Sequence, residues 1–427
     1  MYACAAVNLG AVAITERPVS AADSLEGGTL RRQLDLWPFW TLVGIRVAFW
    51  VGTATTLLWQ RPNFSAVDRD LTLPLFRAYN AHTDLLFNTF SQWDAGWYLN
   101  IAENGYRGEQ AAAFFPLYPA LVHALAWITR SEVVAGVLIS LAAAAVAAIV
   151  VAQIARELFS ERIARDSVLL LALYPAAFVF TSIYSDGLFL ALAAGAILAA
   201  MRDRPELAGI LGGLAVGTRL IGLALLPALL ILLWPRRPSL GGFARLAPLA
   251  LLPAAVAAFA IYLDHQLGNW RAFIDAQSDY WLRHSATLGP LGGLWEAIEM
   301  GYRGAAQVLL HLPRAAEVGL ADERGARNAL HLLLLFAALW LTWVAWQRLG
   351  PAFGAYSIAY LAVILSSPID YFPLTSLPRF LLGDFPLFIA LATLLAGRST
   401  ARQIVFCSFA AVGAVAALGF SRHAWFA

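Results

Sequence analysis

Lysine is absent from the chain: all 29 of its fixed positive charges are arginines. That removes lysine-based chemistry, Schiff bases included, and it fits a GC-rich genome. Cysteine is nearly absent as well. Cys4 and Cys407 sit near opposite ends, which excludes a disulfide framework and a cysteine-rich metal cluster. The seven histidines show no HExxH or comparable ligand spacing, so nothing supports a soluble metalloenzyme. Charged residues make up only 13% of the chain and balance to +2. No strongly basic face is there to invite nucleic acid.

Apolar residues fill the space that charge leaves. They are 60% of 427 residues, with a mean hydropathy of +0.67, more than a soluble fold of this size can hide. Repeated apolar runs long enough to cross a bilayer make the expected fold all-α, a polytopic membrane protein. Arginine asymmetry orients it. Arg17, Arg31 and Arg32 precede the first run, at about 38–59, and place the N-terminus in the cytoplasm. Residues 1–36 lack a basic n-region and read as a cytoplasmic extension, not a cleaved signal. Residues 37–427 then form the transmembrane domain, with outer loops at 60–132 and 267–328. The pattern predicts about eleven crossings. Residues 166–182 and 379–397 are among them as single spans, and 207–235 is two half-spans meeting at Gly217-Thr218-Arg219. Residues 114–129, broken by Pro116 and Pro119, read as an interfacial or re-entrant helix.

Residues 91–119, SQWDAGWYLNIAENGYRGEQAAAFFPLYP, gather Trp93, Trp97, Tyr98, Tyr106 and Tyr118 around Asp94, Glu103 and Glu109. Amphipathic rings suit the membrane–water boundary. Asp94 is the candidate general base for an acceptor hydroxyl, whose proton must leave as it attacks. A phosphodiester-linked lipid phosphate departs as a stable anion, so one carboxylate suffices, where glycoside hydrolysis uses two. The competing structural reading is a capping box, Ser91-x-x-Asp94.

Arg219 lies among apolar residues and Arg379 at the start of an apolar span. A guanidinium fork there matches a phosphate oxygen pair, against ion pairing or snorkelling as alternatives. Tyr184 and Asp186, in IYSDG, either line the same cavity or form a plain Ser-Asp-Gly turn. Tyr118 and His123 stand five residues apart on the re-entrant segment, where a lone histidine reads as structural. The Trp-rich loop 267–328 is either a lid or an aromatic belt.

These residues together resemble the PIG-V-like mannosyltransferases, the family of the eukaryotic enzyme that adds the second mannose to glycosylphosphatidylinositol. The signature runs through Trp93, Asp94, Trp97 and Tyr98; Ile101, Ala102, Gly105 and Tyr106; and Phe114 to Pro119. Tyr184-Ser185-Asp186 with Phe189, Thr218-Arg219, and Pro378-Arg379-Phe380 with Phe385-Pro386 follow in order. One departure is Asp186, where the family often has glutamate.

The resemblance implies a GT-C glycosyltransferase that uses a polyprenyl-phosphate sugar on the non-cytoplasmic face and inverts the anomeric centre. It implies Asp94 as the essential acid in the loop after the first span. Arg219 and Arg379 are then the donor-phosphate residues, and Trp93, Trp97, Tyr98, Tyr118, Tyr184 and Asp186 are the substrate-binding set. The donor is expected to be polyprenyl-phosphate mannose; the acceptor is a glycolipid, a polysaccharide or a protein. No cofactor is expected, and a divalent cation is left open without a dedicated site. The all-arginine composition points to a prokaryotic member in the bacterial plasma membrane, its site facing outward. Two rival readings stand beside this one. A secondary transporter or lipid-linked sugar flippase would use the broken 207–235 stretch as an anion path, though no internal repeat supports it. A structural partner in a cell-envelope assembly would leave Trp93-Asp94 idle.

Overall fold

Apolar runs bounded by polar caps become helices throughout the described residues, 36–59, 92–235, 239–310 and 321–421, of this computed structural model. Among them there is no strand, and Arg283 and Ile369 form an isolated antiparallel bridge. Residues 1–35 of the N-terminal extension, residues 60–91 of the first loop and residues 236–238 lie outside the described residues. Helix α1 (Trp37–Trp59) takes the place of the expected first span. The described part of the following loop holds α2 (Asp94–Asn104), a 3-10 turn at Glu109–Ala113 and α3 (Leu117–Thr129).

Helix α4 (Glu132–Leu158) starts at Ser131, whose side chain accepts a hydrogen bond from the Val134 N–H. Glu132 sits in its first turn and Arg156 in its last, the signs that the helix dipole favours. Ser160 caps α5 (Glu161–Leu173) in the same way. Alanines make one face of α4 smooth, and α6 (Asp186–Met201) packs directly on it. A Cβ on Gly187 would stand 2.8 Å from the Ser140 carbonyl oxygen, so only glycine allows this approach.

The 207–235 stretch breaks where the sequence suggests. Helix α7 (Pro205–Thr218) ends, Arg219 is extended at φ −159° and ψ 134°, and a 3-10 turn at Leu220–Ala224 leads into α8 (Leu225–Leu233). Helix α7 packs on α6 and on α9 (Leu251–Leu267), whereas α8 packs on α13 (Pro351–Leu365) and α6. At their far ends Asp203 pairs with Arg245, and Trp234 packs edge-on against Phe243 with ring centroids 5.8 Å apart. Both far ends therefore meet the same short segment, residues 240–245.

Elsewhere the structure adds detail that the hydropathy pattern did not show. Residues 267–328 contain α10 (Ala272–Asp279), α11 (Pro290–Leu310) and the first turns of α12 (Ala321–Arg348), with 311–320 outside the described residues. Helices α11 and α12 pack along each other, and Gly304 lies against the Gly325 backbone. Residues 166–182 are α5 followed by a 3-10 stretch, Pro175–Thr181, bent by 80°. Proline has no N–H to continue the helix and holds Tyr174 before it out of the helical region.

Residues 379–397 likewise divide into Leu377–Gly383 and α14 (Pro386–Leu395), bent by 88°. There α13 satisfies the backbone that the bend releases. Tyr356 and Tyr360 donate to the carbonyls of Gly383 and Phe380, and Ser357 donates to buried Asp384. The last helix, α15 (Ser399–Ser421), follows.

By length and composition, four helices among the described residues can cross a membrane alone, six if each bent pair counts as one span. Four shorter apolar helices stand beside them. Beside the long helices stands a group of short or broken ones. It is an integral membrane protein of the all-α kind. Its breaks, at Trp93, Ser185, Arg219 and Leu377–Gly383, bring the candidate residues together.

Candidate active site

Asp94 is the first residue of α2, and Trp93 before it has φ 58°, the left-handed region that an indole-bearing residue rarely enters. Trp93 is the helix cap and makes no side-chain capping hydrogen bond among the described residues; Ser91, on which the capping-box reading of Asp94 rests, lies outside them. The turn is held from behind. The Tyr184 hydroxyl donates to the Gln92 carbonyl at 3.1 Å. A strained turn anchored just before Trp93 presents the next residue, Asp94, in a set direction.

The carboxylate it presents meets an arginine from the far end of the chain. Arg379 Nη1 lies 2.5 Å from Asp94 Oδ2, and both side chains are nearly buried. Arg219 pairs with Asp186, and Arg379 Nε stands 4.0 Å from the same Asp186 oxygen. Asp186 is buried at the first turn of α6, so the plain-turn reading gives way to an internal ion-pair chain, Asp94–Arg379–Asp186–Arg219. Both guanidinium groups lie over Phe380, at 5.2 Å for Arg379 and 5.1 Å for Arg219. Asp94 Oδ1 makes no ion pair or hydrogen bond among the described residues.

A cavity of about 420 Å³ opens at this chain. Asp94, Arg219 and Arg379 all line it, with Trp93, Tyr98, Phe114 and Phe380. The other expected substrate-binding residues do not. Tyr118 is fully buried, its hydroxyl bonded to Gly136 O and Ser140 Oγ. Ser140 in turn donates to the Tyr184 carbonyl. Trp97 stacks on Phe114, with centroids 6.0 Å apart. Trp97, Tyr118, Tyr184 and Asp186 thus form the layer behind the wall and set its shape. Tyr98 joins the layers, its hydroxyl 2.8 Å from Ser185 Oγ, and burial pushes its pKa up to about 12.

Sequence reasoning missed Arg283. It lines the cavity, gives one N–H to the Ser367 carbonyl at 2.7 Å, and lies 5.7 Å from the Phe380 ring. Burial first, then Arg379, lowers its pKa to about 10. Next to it His284 stands between Glu296 of α11 at 3.1 Å and Asp370 at 3.2 Å, which pins this segment to two others. The signal in the sequence was an arginine inside an aromatic-rich outer loop, where arginine reads as unremarkable. Among the described residues, no three of His, Cys, Asp and Glu gather closely enough to hold a metal ion.

A second, larger cavity of about 1050 Å³ lies between α3, α7 and α9. Ile101, Tyr106, Leu117, Leu214, Gly217 and Phe259 are among its walls, almost all apolar. Gly217 and Leu117 touch at the edge next to Arg219, so the greasy space adjoins the charged one.

An all-helical membrane protein with a carboxylate and three arginines on an aromatic cavity of sugar size has the make-up of a membrane glycosyltransferase. Residues 71–232 match the family model described as Mannosyltransferase (PIG-V). No curated protein and no solved structure matches the chain. The chain is PIG-V-like over the matched stretch, which holds Asp94, Asp186 and Arg219, and it is a glycosyltransferase of the mannosyltransferase type.

Proposed function

We propose that the protein moves mannose from polyprenyl-phosphate mannose to an acceptor hydroxyl on the outer face of the membrane, with inversion at C1. The acceptor oxygen attacks C1 while its proton passes to Asp94. The C1–O bond to phosphate breaks, and its electron pair leaves with the polyprenyl phosphate. Arg379 holds Asp94 by one oxygen, which leaves Oδ1 to take the proton. Arg219 and Arg379 line the cavity where the phosphate would lie, and their positive charge offsets the charge that grows on it. Trp93 and Tyr98 border the sugar from the wall they already form. The apolar cavity between α3, α7 and α9 is of the right chemistry for the prenyl chain beside its headgroup. Arginine asymmetry along the chain supports the outward-facing site.

The observation that carries this reading is that Asp94 is the one carboxylate lining the charged cavity among the described residues. Replacing Asp94 by Asn keeps the shape and removes the base. In a membrane-fraction assay with labelled polyprenyl-phosphate mannose, Asp94→Asn should lower transfer by about 10²- to 10⁴-fold while the protein still accumulates. Turnover like that of the unaltered protein would remove Asp94 from the mechanism.

A further inference from the structure

We propose that Arg283 is the principal anchor for the phosphate of the lipid-linked donor, a deepening of the reading above that rests on it. The charges on the cavity lead there. Arg219 and Arg379 each face a carboxylate, Asp186 and Asp94 respectively. Arg283 has a neutral partner, the Ser367 carbonyl, and no carboxylate pairs with it among the described residues. Three guanidinium groups against two carboxylates leave one positive charge in excess, and Arg283 is the group that carries it. A phosphodiester bears one negative charge, so a bound donor makes the site neutral.

Position agrees with charge. Arg283 lies on the cavity wall, on the same Phe380 ring that the other two guanidinium groups share. Its backbone is fixed before any ligand arrives. It bridges to Ile369, and His284 ties the next residue to Glu296 and Asp370. An anchor held by three segments loses little freedom on binding. Trp281, two residues earlier and on the same wall, has a buried indole N–H with no acceptor among the described residues, a donor that a nearby ligand oxygen would satisfy. When C1–O breaks, the phosphate gains a second negative charge, and an unneutralised guanidinium stabilises that product more than the substrate. Arg283 therefore acts on donor affinity and also on the rate of the chemical step.

The test uses the full-length protein in detergent with farnesyl phosphate as probe and farnesol as the uncharged control. Arg283→Gln should weaken farnesyl phosphate by about tenfold to a hundredfold, the scale of a charge-assisted contact, and leave farnesol binding unchanged. Arg283→Lys keeps the charge without the fork and should fall between the two. Equal affinity for farnesyl phosphate in all three proteins overturns the proposal. If the Gln variant does not accumulate, the Lys variant decides: several-fold weaker phosphate binding with normal farnesol binding supports it, and unaltered phosphate binding overturns it. Mannose transfer by the unaltered protein is measured apart. Binding through Arg283 with no transfer sinks the transferase reading alone. Transfer with binding indifferent to residue 283 sinks the anchor alone.

Discussion

Arg379 donates to Asp94 across 2.5 Å, although 285 positions separate them in the chain. The pair closes the first loop onto the break before α14, and it is nearly buried on both sides. A buried ion pair contributes less than its Coulomb term, because both ions lose water. Removing one partner is nonetheless severe, because the other is left without compensation.

Breaking the pair should therefore show in stability as well as in turnover. Arg379→Gln is expected to destabilise the detergent-solubilised protein by about 3 kcal/mol, the low end for a buried pair. Asp94→Asn should be milder, because Arg379 keeps Asp186 at 4.0 Å. The double variant, Asp94→Asn with Arg379→Gln, should be more stable than the sum of the two by about 1 kcal/mol or more. Thermal unfolding of the four proteins closes the cycle, and additive effects would mean that the two side chains do not act as a pair in the membrane protein.

Tyr118 gives a prediction of the opposite kind. It was a candidate to border the sugar, yet its hydroxyl is enclosed with Gly136 O and Ser140 Oγ. Tyr118→Phe should cost about 1–2 kcal/mol of stability through the partners left unbonded. Donor and acceptor KM should stay where they are in the labelled-mannose assay. A raised KM with unchanged stability would put the hydroxyl back on the substrate.

What the sequence made legible follows a physical pattern. Arginine inside an apolar run must find a partner, so Arg219 and Arg379 stood out before their partners were known. Asp186 was a candidate whose ion pairing stayed hidden, because an Asp before a glycine has an inexpensive local explanation and its partner, Arg219, lies 33 residues away. Arg283 was hidden for the converse reason: an arginine in a long loop demands nothing. The half-spans at Arg219 were readable from the basic residues at both ends. The bends at Pro175 and Pro386 had their proline signal, but hydropathy averaged over a whole span conceals a break of one or two residues. Helix α11 was obscured by the opposite mixture, an amphipathic stretch whose Glu296, Glu299 and Arg303 look like loop when only long apolar runs are sought. Long-range pairing is what remained out of sight, and the site is made of long-range pairs.

The break at Arg219 depends on Gly222. A Cβ there would stand 2.7 Å from Val216 N, a backbone atom that cannot swing aside. Gly222→Ala should therefore displace the 3-10 turn and pull Arg219 off Asp186. The expected loss is about 1–3 kcal/mol of stability, the usual range for overpacking. Transfer should fall further than stability alone explains, because Arg219 leaves the cavity wall. Unfolding and kcat/KM measured on the same preparation separate the two effects. If activity is lost only in proportion to folded protein, the turn matters to the fold and not to the position of Arg219.

The apolar cavity offers the last test, which depends on chain length. Ala258 is one of its exposed wall residues on α9 and stands away from Asp94 and the arginines, none of which lines this space. An indole there fills volume without touching the charged site. With a long-chain polyprenyl-phosphate mannose, Ala258→Trp should raise the donor KM by about tenfold, equivalent to burying one or two fewer methylene groups or more of the chain. With farnesyl-phosphate mannose, whose tail ends sooner, the shift should shrink or vanish, and kcat should hold in both cases. The contrast between the two donors matters more than either value. A substitution that merely loosened α9 against α7 would weaken both donors alike, and one that narrowed the charged cavity would lower kcat. A rise confined to the longer donor has one physical source, the displacement of prenyl units from the space between α3, α7 and α9.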